Sequence, residues 1–169
     1  MVELWRQWYP KPMWRRRKGA PSLLVLHHTA TPSVFPPERI KEFHEKGRGW
    51  PHIGYHYLVA YDGTIYKTLP ISAVPICVGE YNDQSICIAL VGDFTRNYPP
   101  EWGREALGWK ALAELVESLE RGYKDNLALK LHKELRQTIC PGVVTWKEAL
   151  SRGGMPSERI VALKAKAKR

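Results

Sequence analysis

The chain of 169 residues contains no apolar run near the roughly 18 residues that a bilayer-spanning helix needs, so no membrane span is predicted. It also lacks a leader pattern. Met1-Val2-Glu3 opens without a basic stretch, and no apolar segment of signal-peptide length follows, so the expectation is accumulation in the cytoplasm. Cysteine is scarce, and three is an odd count, which speaks against a framework built only from disulfides. Acidic residues are few beside basic ones, 17 against 26, and the net charge of +9 favours a polyanionic partner. No nucleic-acid reader motif accompanies that charge, and no nucleic-acid partner is expected. There are no internal repeats. A hydrophobic fraction of 44% is ordinary for a globule, and the length suits one domain with its own core.

The charge is uneven. Residues 1–19 carry Arg6, Lys11, Arg15, Arg16, Arg17 and Lys18 against Glu3 alone, and the other end carries Lys164, Lys166, Lys168 and Arg169. Trp5, Trp8, Tyr9 and Trp14 interleave with the first group, while Pro10 and Pro12 break any long helix. Residues 1–20 therefore read as a basic, aromatic arm outside the core. Residues 21–169 read as the folded domain, with a basic tail from about 160.

Within the domain, residues 23–27 predict a short buried strand. A helix is predicted from Glu38 to Lys46, with Ile40, Phe43 and His44 on one face and Gly47 and Gly49 beyond its end. Residues 53–61 and 64–68 predict strands around the hairpin signal Asp62-Gly63. Ser85 to Val91 reads as a strand buried on both faces. Glu101 to Gly122 is the longest predicted helix, its stripe formed by Leu107, Leu112, Leu115, Val116 and Leu119. Leu127 to Leu131 predicts a strand, and short helices follow over Thr145 to Leu150 and over 157–169. Strands alternating with helices predict an α/β fold, a single domain with a central mixed sheet flanked by helices.

Two segments carry chemistry. Leu23-Leu24-Val25-Leu26 ends on His27-His28, and Leu131-His132 is followed eight residues later by Cys140 in Cys140-Pro141-Gly142. Two imidazoles and a thiolate suit Zn²⁺ with a tetrahedral position left open, as a hydrolytic site requires. Functional groups gather at strand ends in such sheets, and two neighbouring strands ending alike would bring His27 and His132 together. Side chains alternate along a strand, so only one of His27 and His28 can face the metal. His27 is taken as the ligand and His28 as packed behind. His44, His52 and His56 are read as structural or surface residues and not as ligands. Cys77 and Cys87 are either two small buried thiols, the default in a reducing cytoplasm, or one bridge.

LVLHHTAT, GWPHIGYHYLVAYDGTIY, GEYNDQSICIALVGDF and LHKELRQTICPG occur in this order. Together they resemble zinc-dependent N-acetylmuramoyl-L-alanine amidases of type 2, a group that includes phage endolysins and peptidoglycan recognition proteins. The resemblance spans about residues 21–150. With its basic arm the chain looks most like an endolysin from a phage of a thermophile. The resemblance implies metal ligands at His27, His132 and Cys140, a catalytic tyrosine at Tyr55, and Thr138 where the family has Lys or Thr. It implies Zn²⁺ as cofactor, peptidoglycan as substrate and a substrate contact at Asn82. The implied setting is the host cytoplasm before release and the cell wall afterwards, with the protein acting as a monomer. A non-catalytic peptidoglycan-binding module is the alternative, and Cys140 speaks against it, since non-catalytic recognition proteins typically lack that ligand. The sequence departs from the family at Cys77, where many members have His, at His52, where Asp is common, and at Cys87, where Gly is common. A cysteine at both 77 and 87 raises the option of a disulfide pinning the loop to the strand, worth about 2–3 kcal/mol for so short a loop. The arm is expected to hold anionic lipid or envelope polymers through Arg6, Lys11, Arg15, Arg16, Arg17 and Lys18, with Trp at the interface.

Overall fold

The structure is a computed structural model and describes residues 1–124 and 126–165. Six strands form one mixed sheet. In chain order they are β1 (Val2–Glu3), β2 (Leu23–His28), β3 (Tyr57–Val59), β4 (Ile65–Lys67), β5 (Ser85–Leu90) and β6 (Ala128–Leu131). The spatial order is β1-β4-β3-β5-β2-β6. Among the described strand pairs only β3–β4 is antiparallel; β2 lies between β5 and β6 and is parallel to both. Among the described residues six α-helices accompany the sheet: α1 (Trp5–Trp8), α2 (Pro37–Glu42), α3 (Leu107–Gly122), α4 (His132–Leu135), α5 (Trp146–Arg152) and α6 (Ser157–Ala165).

Strand alternation divides the core. Leu24, Leu26, Ile86, Ile88, Leu90, Leu129 and Leu131 point to one face. There they pack with Leu112, Leu115, Val116 and Leu119 of α3, with Trp146 and Leu150 of α5, and with Ile160 and Leu163 of α6. Trp102 and Trp109 are fully buried in this layer with ring centroids 4.6 Å apart. Their indole N–H groups donate to the carbonyls of Val91 and Gly103, which meets the polar demand of a buried tryptophan. The opposite face carries Leu58, Ala89 and Val91 against Tyr9, Ile40, Ile53 and Leu69. Val25, Val78 and Cys87 form a smaller cluster beside it.

Several predicted elements are displaced. Leu107, assigned to the buried stripe, is the first residue of α3 and 63% exposed, and Trp109 is buried instead. The turn Pro100–Trp102 stands apart from α3 and does not continue it. The helix predicted from Glu38 to Lys46 is α2 running into a wider π-type turn, Phe43–Gly47. That change of pitch leaves Phe43 55% exposed while Ile40 and His44 stay buried. Strand β3 is shorter than predicted because residues 53–56 direct their backbone groups elsewhere. Gly54 N–H, for example, donates to His44 Nδ1. Of the basic tail, Lys166, Lys168 and Arg169 lie outside the described residues.

The largest correction concerns residues 1–20, expected as an arm outside the core. Strand β1 extends the sheet by pairing with β4, and Leu4 and Tyr9 are buried. The Tyr9 hydroxyl donates to Glu45 at 2.6 Å and accepts from Ile53 N–H at 2.9 Å. Trp14 meets Trp5 and Tyr9 edge to face. Arg16 bridges to Ala73, and Arg15 pairs with Asp83. Arg17 is half-buried, and its guanidinium donates to the carbonyls of Ile71, Ala73, Asp83 and Ser85. The aromatics supply apolar area and Arg17 supplies a rigid fork of donors. Together they fasten the segment to the domain.

Arg17→Met keeps the apolar stem and removes those donors, leaving buried carbonyls unpaired. A loss of about 2–3 kcal/mol is expected, read as a lower urea midpoint with unchanged slope. An unchanged midpoint would show that the fork holds nothing.

Candidate metal centre

Strand β2 delivers His27 at its C-terminal end. Residues Leu23 to Leu26 pair with Ala128 to Leu131 of β6, so His27 and His132 leave neighbouring parallel strands at the same level. His132 is the first residue of α4, which turns the chain directly after β6. The ring centroids of His27 and His132 are 4.6 Å apart. The loop after α4 folds back, and Lys133 N–H donates to the Cys140 carbonyl at 2.9 Å. Lys133 Nζ donates to the Gly142 carbonyl at 2.7 Å. Gly142 has φ of +73°, and a Cβ there would stand 1.9 Å from the Phe94 carbonyl oxygen. Glycine is required both for the left-handed backbone and for this close approach.

These constraints set Cys140 Sγ 3.7 Å from His27 Nδ1. One ligand atom each from His27, His132 and Cys140 lies within 4.8 Å of the others. His27 is 1% exposed. His132 Nδ1 and His27 Nε2 are buried without a hydrogen-bond partner among the described residues. Cys140 Sγ accepts from His28 N–H at 3.4 Å. His28 itself points to the helical face, where its Nδ1 accepts from Phe94 N–H.

Electrostatics make the site neutral in the absence of a cation. Burial, reinforced by the neighbouring imidazoles of His132 and His28, drives the His27 pKa well below its usual range. Burial and the Arg136 charge lower that of His132. Burial pushes the Cys140 thiol up to about 11, against the opposing pull of His28 N–H and Lys133. Two neutral imidazoles are ready to donate lone pairs, and the thiol needs a nearby cation to release its proton. The orphaned His132 Nδ1, the Nδ1–Sγ approach and the N₂S donor set fit a divalent ion of borderline softness.

Tyr55 stands over the centre, its ring 5.2 Å from that of His27 and 5.4 Å from that of His44. Burial raises its pKa far above 10, so the phenol keeps its proton and is available as a donor. Thr138 Oγ1 accepts from Cys140 N–H at 3.2 Å, which braces the loop and leaves the hydroxyl proton free. Asn82 is tied into the loop that carries Cys77. Its Oδ1 accepts from the N–H groups of Cys77 and Val78 and so shapes the loop. A disulfide joins Cys77 to Cys87, in place of the two free thiols taken as the default.

Arg48 escaped the reading of the sequence. Its guanidinium lies 5.3 Å from the ring centroids of both Phe43 and Trp50, and its charge acts on Tyr55. A lone arginine between glycines in Gly47-Arg48-Gly49 carries no periodic signal, and only the π-type turn brings it to the aromatics.

The N-acetylmuramoyl-L-alanine amidase profile matches residues 17–143. The chain belongs to this family. The endolysin of Thermus scotoductus bacteriophage Ph2119 is 54% identical, with a TM-score of 0.86 over 91% of this chain and 99% of that one. An endolysin amidase from Clostridium intestinale is 34% identical, with a TM-score of 0.67 over 83% and 86% of the two chains. Peptidoglycan-recognition protein LB of Drosophila melanogaster is 32% identical over 74% of this chain, which spans 56% of the fly protein's length. The mixed sheet and its helices are therefore the family fold, and the site lies at the C-terminal end of the sheet's central parallel strands.

The histidines around the site make stability depend on pH. His56 Nδ1 accepts from Cys87 N–H, so its proton sits on Nε2, 3.2 Å from the Ala73 carbonyl. Burial lowers the pKa of His56 to about 3 and that of His44 to about 4. Both folded values lie below the unfolded 6.5, so the unfolded chain binds more protons below that pH. Stability is complete above pH 6.5 and falls as pH drops toward 4, by about 1.4 kcal/mol per unit for each ring. Denaturant midpoints should fall clearly between pH 7 and pH 5. A flat profile would mean that the rings are protonated in place.

Proposed function

We propose that the chain is a zinc-dependent N-acetylmuramoyl-L-alanine amidase that lyses bacterial cell walls as a phage endolysin. The bond cleaved is the amide between the lactyl group of N-acetylmuramic acid and L-alanine. The reading is carried by the donor atoms of His27, His132 and Cys140 lying within 4.8 Å of one another, with a protonated tyrosine beside them. Family membership and the similarity to phage and clostridial endolysins support it.

A Zn²⁺ held by His27, His132 and Cys140 would supply Lewis acidity and a nucleophilic water near neutral pH. The remaining work falls to the chain. His27 and His132 stay neutral and keep their lone pairs on the site. Tyr55 keeps its phenolic proton and donates a hydrogen bond to the amide oxygen as negative charge develops there. Thr138 turns its free hydroxyl proton toward the same oxygen, its own oxygen being held by Cys140 N–H. It brings no positive charge, so the oxyanion depends on the cation and on Tyr55.

Cys140→Ser should abolish both stoichiometric zinc and release of free L-alanine amines from purified peptidoglycan. Tyr55→Phe should retain zinc and lose at least about 100-fold in turnover, the scale of removing an oxyanion donor. Removing zinc by chelation and adding it back should switch the wild type off and on. Full activity without metal would end the proposal.

The exposed cations of residues 1–20 support a contact with anionic envelope polymers or lipid. Arg6, Lys11, Arg15, Arg16 and Lys18 face solvent, while Arg17 is committed to carbonyls of the domain. Charge reversal at Lys11, Arg16 and Lys18 together should weaken binding to isolated envelopes several-fold and flatten its salt dependence, with thermal stability unchanged. Binding insensitive to the reversal would remove this role.

A further inference from the structure

Beneath the metal centre lie sulfur atoms that the hydrolytic reading does not use. Val25 and His27 face the same side of β2, and Cys87 faces that side of β5, paired in register with Val25. Cys87 is fully buried, and Cys77 is half-buried on the loop braced by Asn82. One ring nitrogen of His27 and the sulfurs of Cys77 and Cys87 all lie within 4.8 Å of one another. His27 thus belongs to two clusters at once. Its Nδ1 is 3.7 Å from Cys140 Sγ, and its Nε2 is buried with no hydrogen-bond partner among the described residues.

We propose that reducing the Cys77–Cys87 disulfide opens a second site for a thiophilic divalent cation, formed by His27, Cys77 and Cys87, which competes with the His132–Cys140 pair for the shared imidazole. Two thiolates and an imidazole prefer Zn²⁺ or Cd²⁺ over harder ions. A dithiol gives up two electrons and two protons and leaves as its own disulfide. The Cys77–Cys87 bond breaks and each sulfur becomes a thiol. Cys77 is the less buried residue of the pair, which makes it the point of attack. The cation then displaces both thiol protons to solvent. With the disulfide intact, His27 has one sulfur partner, Cys140; with it reduced, His27 has three. The bridge therefore decides which ligands the imidazole serves, beyond any effect on the unfolded chain.

Cd²⁺ titration of Cys140→Ser tests this, read by the thiolate-to-metal charge-transfer band. A phosphine serves as reductant; it becomes the phosphine oxide with oxygen from water. Oxidised Cys140→Ser should show no band. The reduced form should take up one equivalent with a band of two-thiolate intensity. Adding His27→Ala should weaken that uptake at least tenfold, and adding Cys77→Ser should halve the band or abolish it. His132→Ala provides a second background, in which reduction should raise the band. The idea is overturned if reduction produces no new band, if the band ignores His27→Ala, or if the reduced chain loses its near-ultraviolet dichroism. Cys140 is absent from the main arm, so this outcome is independent of the amidase assay.

Discussion

Three electron-pair donors share one small space, and the only hydrogen-bond contact between their ligand atoms among the described residues is the long 3.7 Å approach of Cys140 Sγ to His27 Nδ1. That juxtaposition is the constraint on which the rest of the site depends. A buried imidazole nitrogen without a partner is costly, and here His132 Nδ1 and His27 Nε2 are both left so. The surroundings hold the imidazoles neutral and the thiol protonated, and those two ring nitrogens find no partner among the described residues. A divalent cation bound there would take up these lone pairs and make the thiolate the favoured form.

The fold supplies the rigidity this requires. His27 stands on a strand with parallel neighbours on both sides, and His132 leaves the adjacent strand at the same level. Cys140 comes from a loop, the weakest kind of support, and the loop is correspondingly tied. Lys133 holds it through main chain and side chain, Thr138 caps its amide, and Gly142 sits against the Phe94 carbonyl. The first residues of the chain add to the frame from outside. Arg17 gathers carbonyls from loops around the disulfide and β5, and His56 lies between those loops and Cys87.

Much of this was legible in the sequence. Alternation along Leu23 to His28 separates His27 from His28. The alternation of strands and helices gave the α/β class, and the order of four motifs singled out His27, Tyr55, His132 and Cys140, which the fold brings close together. The role of residues 1–20 was not legible. Their cations and prolines suggest a solvated arm, and only the carbonyls of Ile71, Ala73, Asp83 and Ser85, distant in the chain, turn Arg17 inward. Asn82 was ambiguous for the same reason, since its partners are fixed by the shape of a loop and leave no period to read.

By itself the sequence determined the donor chemistry, the alternation that selects one histidine of a pair, and the fold class. Each of these follows from residue type and local spacing. Tertiary structure alone decided that Cys77 and Cys87 are bonded, that both lie near His27, that Arg48 reaches the aromatics, and that the basic segment is part of the domain. These are contacts between residues far apart along the chain, and spacing along a polymer does not encode distance across a fold.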